Sequence, residues 1–307
     1  MLENVFKERG DDGNSRLPPP PARKTSPVSA ALLVPLFLLL LVALIIYLFG
    51  WISLDRRTSF DLLAETRAAS GERRALTAFE LSRLESYDLP PGQREQFLQE
   101  VGTLLQDEAG GDARVRRALA IVLGRMAERS SVPVLLEAAE DPDTETQIYV
   151  LWALGAIGDP RALDTLESHL RSDDPGVRKT AAFALGELQD PRAVPPLKVA
   201  LQDSTPDVTW NAAISLARLG DESALPTLLL ILSPGDSGRF ASPGQEEQLR
   251  VNVIRSLRGV QTEAVREALR RVADSDTSAR IRSEALMVLE GRSPPPFRPS
   301  LDVASPR

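Results

Sequence analysis

The stretch "VRKTAAFALGELQDPRAVPPLKVALQD" (Val177 to Asp203) decides the fold, because its parts recur elsewhere at a fixed distance. Leu185-Gly186 is preceded by Leu123-Gly124 and Leu154-Gly155 and followed by Leu216-Ala217, all at one constant spacing. Asp190-Pro191-Arg192-Ala193 repeats Asp159-Pro160-Arg161-Ala162, and Gly220-Asp221 follows Gln189-Asp190 at the same interval. A fixed period of this size signals a repeat architecture in which each unit cannot bury its apolar face alone. The recurring residues are therefore read as structural, not as an active site.

Each unit reads as two helices. Asp190 is a good N-cap, Pro191 suits the first helical position, and Val194, Leu197 and Leu201 follow at helical spacing. A second helix starts at Asp174-Pro175, with Val177, Ala181, Leu185 and Leu188 on one stripe. Ala181, Ala182 and Gly186 are small enough for neighbouring helices to approach closely, and Gly158 and Gly220 end equivalent helices. Seven second helices are predicted, ending near Leu84, Met126, Ile157, Leu188, Leu219, Val260 and Leu289. Two insertions break the period, Glu85 to Gln93 and Ser233 to Gln248.

"DPGVRKTAAFALGELQDPRAVPPLKVAL" closely resembles the HEAT-like repeat first described in phycobilisome (bilin) lyase subunits, over roughly Ser53 to Glu290. The resemblance implies an all-α fold, an α-solenoid of six to seven helical-hairpin repeats with the second helices lining the concave face. Its Val-Arg pair stands at Val115-Arg116, Val177-Arg178 and, with isoleucine, Ile281-Arg282. It is replaced at Thr146-Gln147 and Val208-Thr209. These arginines are expected to bridge to loop aspartates of adjacent repeats.

Outside the array, "ALLVPLFLLLLVALIIYLFGWI" runs from Ala31 to Ile52 without a charge. At about 1.5 Å per residue it spans roughly 33 Å, enough to cross a bilayer core. No small-residue cleavage site follows, which argues for a retained anchor rather than a signal peptide. The expected organisation is a disordered, Pro-rich tail over 1–29, a transmembrane helix over 30–52, the solenoid over 53–291 with an insertion loop at 233–248, and a disordered tail over 292–307. The positive flanks of the apolar run balance, so orientation follows only the common arrangement. That places the chain in a bacterial inner membrane with the solenoid external or periplasmic.

Charge and composition narrow the function. Residues 53–307 hold 31 basic against 39 acidic side chains, which disfavours nucleic acid as a ligand. There is no cysteine, so thiol catalysis and cysteine metal sites are excluded, and His169 is the only histidine. Gly235 to Gly238 ("GDSG") resembles the nucleophile turn of chymotrypsin-like proteases, but the histidine base that chemistry needs is missing. Deoxyhypusine hydroxylases bind iron through His-Glu motifs; His169 is followed by Leu170 and has no second histidine beside it. The sequence thus predicts a non-enzymatic scaffold with no catalytic residue, metal, cofactor or small-molecule substrate; the alternative is a subunit of a lyase or modifying enzyme related to bilin lyases. Its expected partners are an unidentified protein and, through the N-terminal helix, the lipid bilayer. The partner surface is predicted on the groove-facing column Phe79, Ile121, Trp152, Phe183 and Ile214, with Ile148, Tyr149 and Trp210 beside it. Arg114, Arg117, Arg125, Lys179, Arg218 and Arg255 form a predicted basic rim.

Overall fold

A computed structural model describes residues 35–45, 47, 57–233, 243–260 and 262–292. The described residues form fifteen α-helices and no strand. They fall into two units, 1–56 and 57–307. In the first, residues 35–45 and 47 are helical (α1), and their large apolar side chains, from Leu36 to Tyr47, are exposed. Among the described residues no helix is long and apolar enough to cross a membrane. The predicted span reaches beyond them at both ends.

The second unit is built of helix pairs. First helices are α2 (Ser59–Ala68), α4 (Arg94–Asp107), α6 (Val132–Ala138), α8 (Leu163–His169), α10 (Val194–Ala200), α12 (Leu225–Leu232) and α14 (Glu263–Ser275). Second helices are α3 (Gly71–Arg83), α5 (Ala113–Met126), α7 (Thr144–Ile157), α9 (Pro175–Glu187), α11 (Pro206–Arg218), α13 (Pro243–Ser256) and α15 (Ala279–Leu289). The second helices pack against one another in series from α3 to α15, each also against its own first helix. One apolar core runs through the array, with Phe97, Leu123, Leu154, Leu185 and Leu216 fully buried.

Local chemistry explains the boundaries. Asp174 caps α9 by accepting the Val177 N–H at 3.0 Å, and Asp143 does the same for Thr146 of α7 at 2.8 Å. Asp159, Asp190 and Asp221 each accept the N–H two residues on and open a single 3₁₀ turn, for example Pro191–Ala193, before the first helix proper. That turn is the difference from the sequence expectation: α10 starts at Val194, because the i→i+3 bond closed by Ala193 onto the Asp190 carbonyl tightens the entry.

The two insertions differ from expectation in detail. Tyr87 and Leu89 of the first pack against the core, with the Tyr87 ring 5.9 Å from Phe97, which also meets Phe60 edge-on at 5.3 Å. Burial pushes the Tyr87 hydroxyl up to about 12. The second is expected as a loop over 233–248, yet α13 already begins at Pro243, with Glu246 in the first turn, where the helix dipole favours a carboxylate. Residues 234–242, including the "GDSG" turn up to Gly238, lie outside the described residues.

Candidate functional site: the face of the second helices

Three kinds of residue compose the face that the second helices present: small residues at the seams, aromatic residues on the surface, and charges along the edges. Gly124, Gly155 and Gly186 form the seams. A Cβ on Gly155 would sit 2.8 Å from the Ala184 Cα, and one on Gly186 2.9 Å from the Ser215 Cα. Ser215 uses the closeness by donating to the Ala182 carbonyl across the seam, at 2.8 Å.

The close seams decide how far the aromatic column is exposed. Trp152, expected as an exposed anchor, is only 8% exposed. Its ring lies over Gly124, where an added Cβ would be 2.6 Å from its Cζ3, and its indole Nε1 is buried without a hydrogen-bond partner. Ile121 and Ile214 are buried as well. The physical reason is the missing side chain at Gly124: the neighbouring helix approaches until the residue one repeat on fills the gap. Ile148, Tyr149, Phe183 and Trp210 remain half-buried, and Phe79 in the first repeat is exposed, with the Arg83 guanidinium 5.5 Å from its ring centre. The open part of the predicted surface is therefore a stripe over α7, α9 and α11.

The predicted basic rim is internally neutralised. Arg117 forms a fork on Asp143 (2.8 and 2.9 Å) and also meets Glu145. Lys179 reaches Asp207 at 3.8 Å, Arg218 pairs with Glu187, Arg255 with Glu284, and Arg114 with Glu72 at 2.8 Å and Asp112. Arg125 donates to the Ser82 carbonyl at 2.7 Å and lies 5.9 Å from the Tyr87 ring centre. The Arg117 guanidinium holds the Asp143 carboxyl well below the ordinary carboxylate range, and Arg114 does the same to Asp112. These cations link repeats rather than wait for an anion.

At one edge, two of the three Val-Arg arginines reach a loop aspartate of the next repeat as expected, whereas Arg282 donates to the Asp276 and Thr277 carbonyls of its own loop, at 2.7 and 3.2 Å. Arg116 grips Asp141 in the next repeat (2.6 and 2.9 Å), and Arg178 grips Asp203 (2.8 and 3.1 Å). Sequence reasoning missed a third link, Arg250 to Asp276 at 2.5 Å, because the second insertion hides its register. It also missed that the partners change together. Where Gln147 replaces the arginine, Ser172 stands at the matching aspartate position; this spacing is a readable signal. Gln147 instead donates to the Asp141 carbonyl of its own loop, at 2.8 Å.

His169 is buried. Its Nδ1 lies 2.7 Å from the Thr165 carbonyl and its Nε2 3.1 Å from the Ala139 carbonyl, so it clasps α8 to the preceding repeat. No group of three or more metal-ligating side chains occurs among the described residues.

Comparison with known proteins places this geometry. Residues 101–177 and 166–242 match the family model described as HEAT repeats. The complex of CpcE and CpcF of phycocyanin lyase from Nostoc sp. PCC7120 is similar in structure, with TM-score 0.56 and 20% identity over 76% of this chain and 86% of that one. Human deoxyhypusine hydroxylase aligns with TM-score 0.31 and 18% identity over 76% of this chain and 95% of that one. In sequence, deoxyhypusine hydroxylase of Gallus gallus is 35% identical over 79 residues, 25% of this chain and 26% of that protein, so the match spans about a quarter of its length. Residues 101–242 thus match HEAT repeats, and the helix pairs on either side stack in the same way.

Proposed function

We propose that the chain is a membrane-anchored HEAT-repeat scaffold that binds a protein partner along the concave face of its second helices. The observation that carries this reading is the open stripe of Ile148, Tyr149, Phe183 and Trp210, half-buried in the free molecule. Large aromatic side chains left partly uncovered on adjacent repeats are the composition of interaction hot spots. Because the rim cations are already paired, apolar burial rather than charge supplies the affinity. The anchor is read from the charge-free run Ala31 to Ile52 and supported by the exposure of every large apolar side chain described in α1. A bacterial inner membrane with an external solenoid remains the expected location.

The test is a detergent pull-down with the apolar run intact, comparing the natural chain with Phe183→Ala and Trp210→Ala. Each substitution should weaken capture by about 2 kcal/mol or more, roughly thirtyfold, while the unfolding midpoint stays near that of the natural chain. Trp152→Ala should behave oppositely, losing about 3 kcal/mol or more of stability as a truncated core aromatic does. Unchanged capture by both surface variants would remove the groove reading. A bound chromophore, or turnover by the purified chain, would favour the lyase-type subunit instead.

A further inference from the structure

We propose that the exposed face of α3 carrying Leu76, Phe79 and Arg83 seats on the lipid headgroup layer, beside the point where the chain leaves the bilayer. The inference rests on the anchor reading above and adds a lipid-binding surface on the solenoid itself. α3 is the first of the second helices and packs against α2 and α5, so no earlier repeat covers its outer flank. A terminal repeat is expected to turn a polar face outwards. This one leaves Leu76 54% and Phe79 37% exposed, one helical turn apart. The other large apolar side chains exposed among the described residues of this unit, Val199, Leu230 and Leu286, stand singly on separate helices.

Chain length fixes the place. Arg57 follows Ile52, the last residue of the apolar run, by five residues, and a fully extended chain covers at most about 18 Å in that length. Arg57 in turn meets Glu80 at 3.4 Å, so the turn that holds Phe79 lies at the tethered end of the unit. The capping box of Thr58 and Asp61 sets the backbone there, so this exposed pair reports the placement rather than creating it. The headgroup layer, about 5–8 Å deep beyond the hydrocarbon core, is within that reach. Charge agrees. Residues 53–84 hold six basic and five acidic side chains, whereas 85–307 hold 25 basic and 34 acidic. Phosphate headgroups therefore favour this end and repel the rest. The carboxylates beside the apolar pair, Glu72 and Glu80, are matched by Arg114 and Arg57. Leucine and phenylalanine flanked by arginine are the side chains that bed into the headgroup boundary, and the Arg83 guanidinium already lies 5.5 Å from the Phe79 ring centre. The aromatic stripe begins two second helices further on, at α7, so the seat leaves it open.

The chain has no cysteine, so one introduced cysteine carries a nitroxide label without competition. The full chain with Leu76→Cys or Phe79→Cys is placed in vesicles of phosphatidylcholine and phosphatidylglycerol, with no other protein. Collisions of the label with oxygen, which partitions into lipid, are compared with collisions with a water-soluble nickel chelate. Val199→Cys and Leu230→Cys, also at exposed positions, give the value for water, and Leu40→Cys in α1 reports the anchor. The labels at 76 and 79 should show an oxygen-to-nickel ratio at least about threefold above those at 199 and 230, as side chains at the headgroup boundary do. Ratios at 76 and 79 equal to those at 199 and 230, with the Leu40→Cys label deep in lipid, overturn the seat and leave the anchor standing. A Leu40→Cys label that collides freely with nickel removes the anchor, and the seat with it.

Discussion

Gly186 shows how a single residue sets the geometry of a junction. It lies inside α9, so its value is not conformational freedom but the absent Cβ, which would meet Ser215 at backbone distance. A larger residue has to push α9 away from α11 and break the Ser215 bond to the Ala182 carbonyl. Gly186→Leu should therefore destabilise by about 1–3 kcal/mol, the usual cost of overpacking, read from the denaturant midpoint. An unchanged midpoint would mean that the seam can slide. The same seam chemistry explains the least legible part of the site. A column of large apolar residues at the repeat spacing is visible in the sequence, but whether it faces a partner or a neighbouring repeat depends on how closely helices approach. Ala153 closes on Gly124 as Ala184 closes on Gly155, yet the Trp152 ring also lies over Gly124 and goes to the core, whereas Phe183 stays half-buried with the Arg218 guanidinium 5.7 Å from its ring centre.

The helix ends were more legible, because caps and stops are local chemistry. Aspartates at Asp143, Asp174 and Asp190 and a glycine at Gly158 mark boundaries that depend on neighbours within four residues. The four junctions after α5, α7, α9 and α11 place a left-handed residue at the same column: Ala127 (φ 52°), Gly158 (66°), Gln189 (51°) and Gly220 (77°). Two of the four carry a side chain where one is disfavoured. The left-handed region costs an L-residue roughly 1–2 kcal/mol, offset in part by the extra freedom glycine gives the unfolded chain, about 0.5–1 kcal/mol. Gln189→Gly should thus stabilise by up to about 1 kcal/mol, raising the melting midpoint by roughly 2–4 °C in a domain of this size. The reciprocal Gly220→Ala should lower it, and only through φ, since nothing lies within 4 Å of the added Cβ. A drop in the midpoint of Gln189→Gly would show that this side chain makes a contact worth more than its strain.

Across the whole molecule, local sequence says least, since the links that hold one repeat to the next join residues far apart in the chain. Arg116 with Asp141, Arg178 with Asp203 and Arg250 with Asp276 tie a second helix to the loop of the following repeat, and the Gln147/Ser172 junction between the first two lacks the tie. Arg116 and Asp141 are both nearly fully buried, so neither can lose its partner without stranding a charge away from water. Arg116→Gln alone should cost about 3 kcal/mol or more, and Asp141→Ser alone a similar amount, as broken buried pairs do. The double variant recreates the Gln147/Ser172 junction. Its glutamine can take over the Gly111 carbonyl that Arg116 now holds at 2.5 Å, as Gln147 holds the Asp141 carbonyl. The double variant should lose less than the sum of the single losses, with a coupling of roughly 1–3 kcal/mol, as for residues in direct contact. Urea unfolding of all four chains gives the cycle. Additive losses would mean that the pair does not couple the repeats, and that the paired change at 147 and 172 is coincidence rather than a second way of closing the same joint.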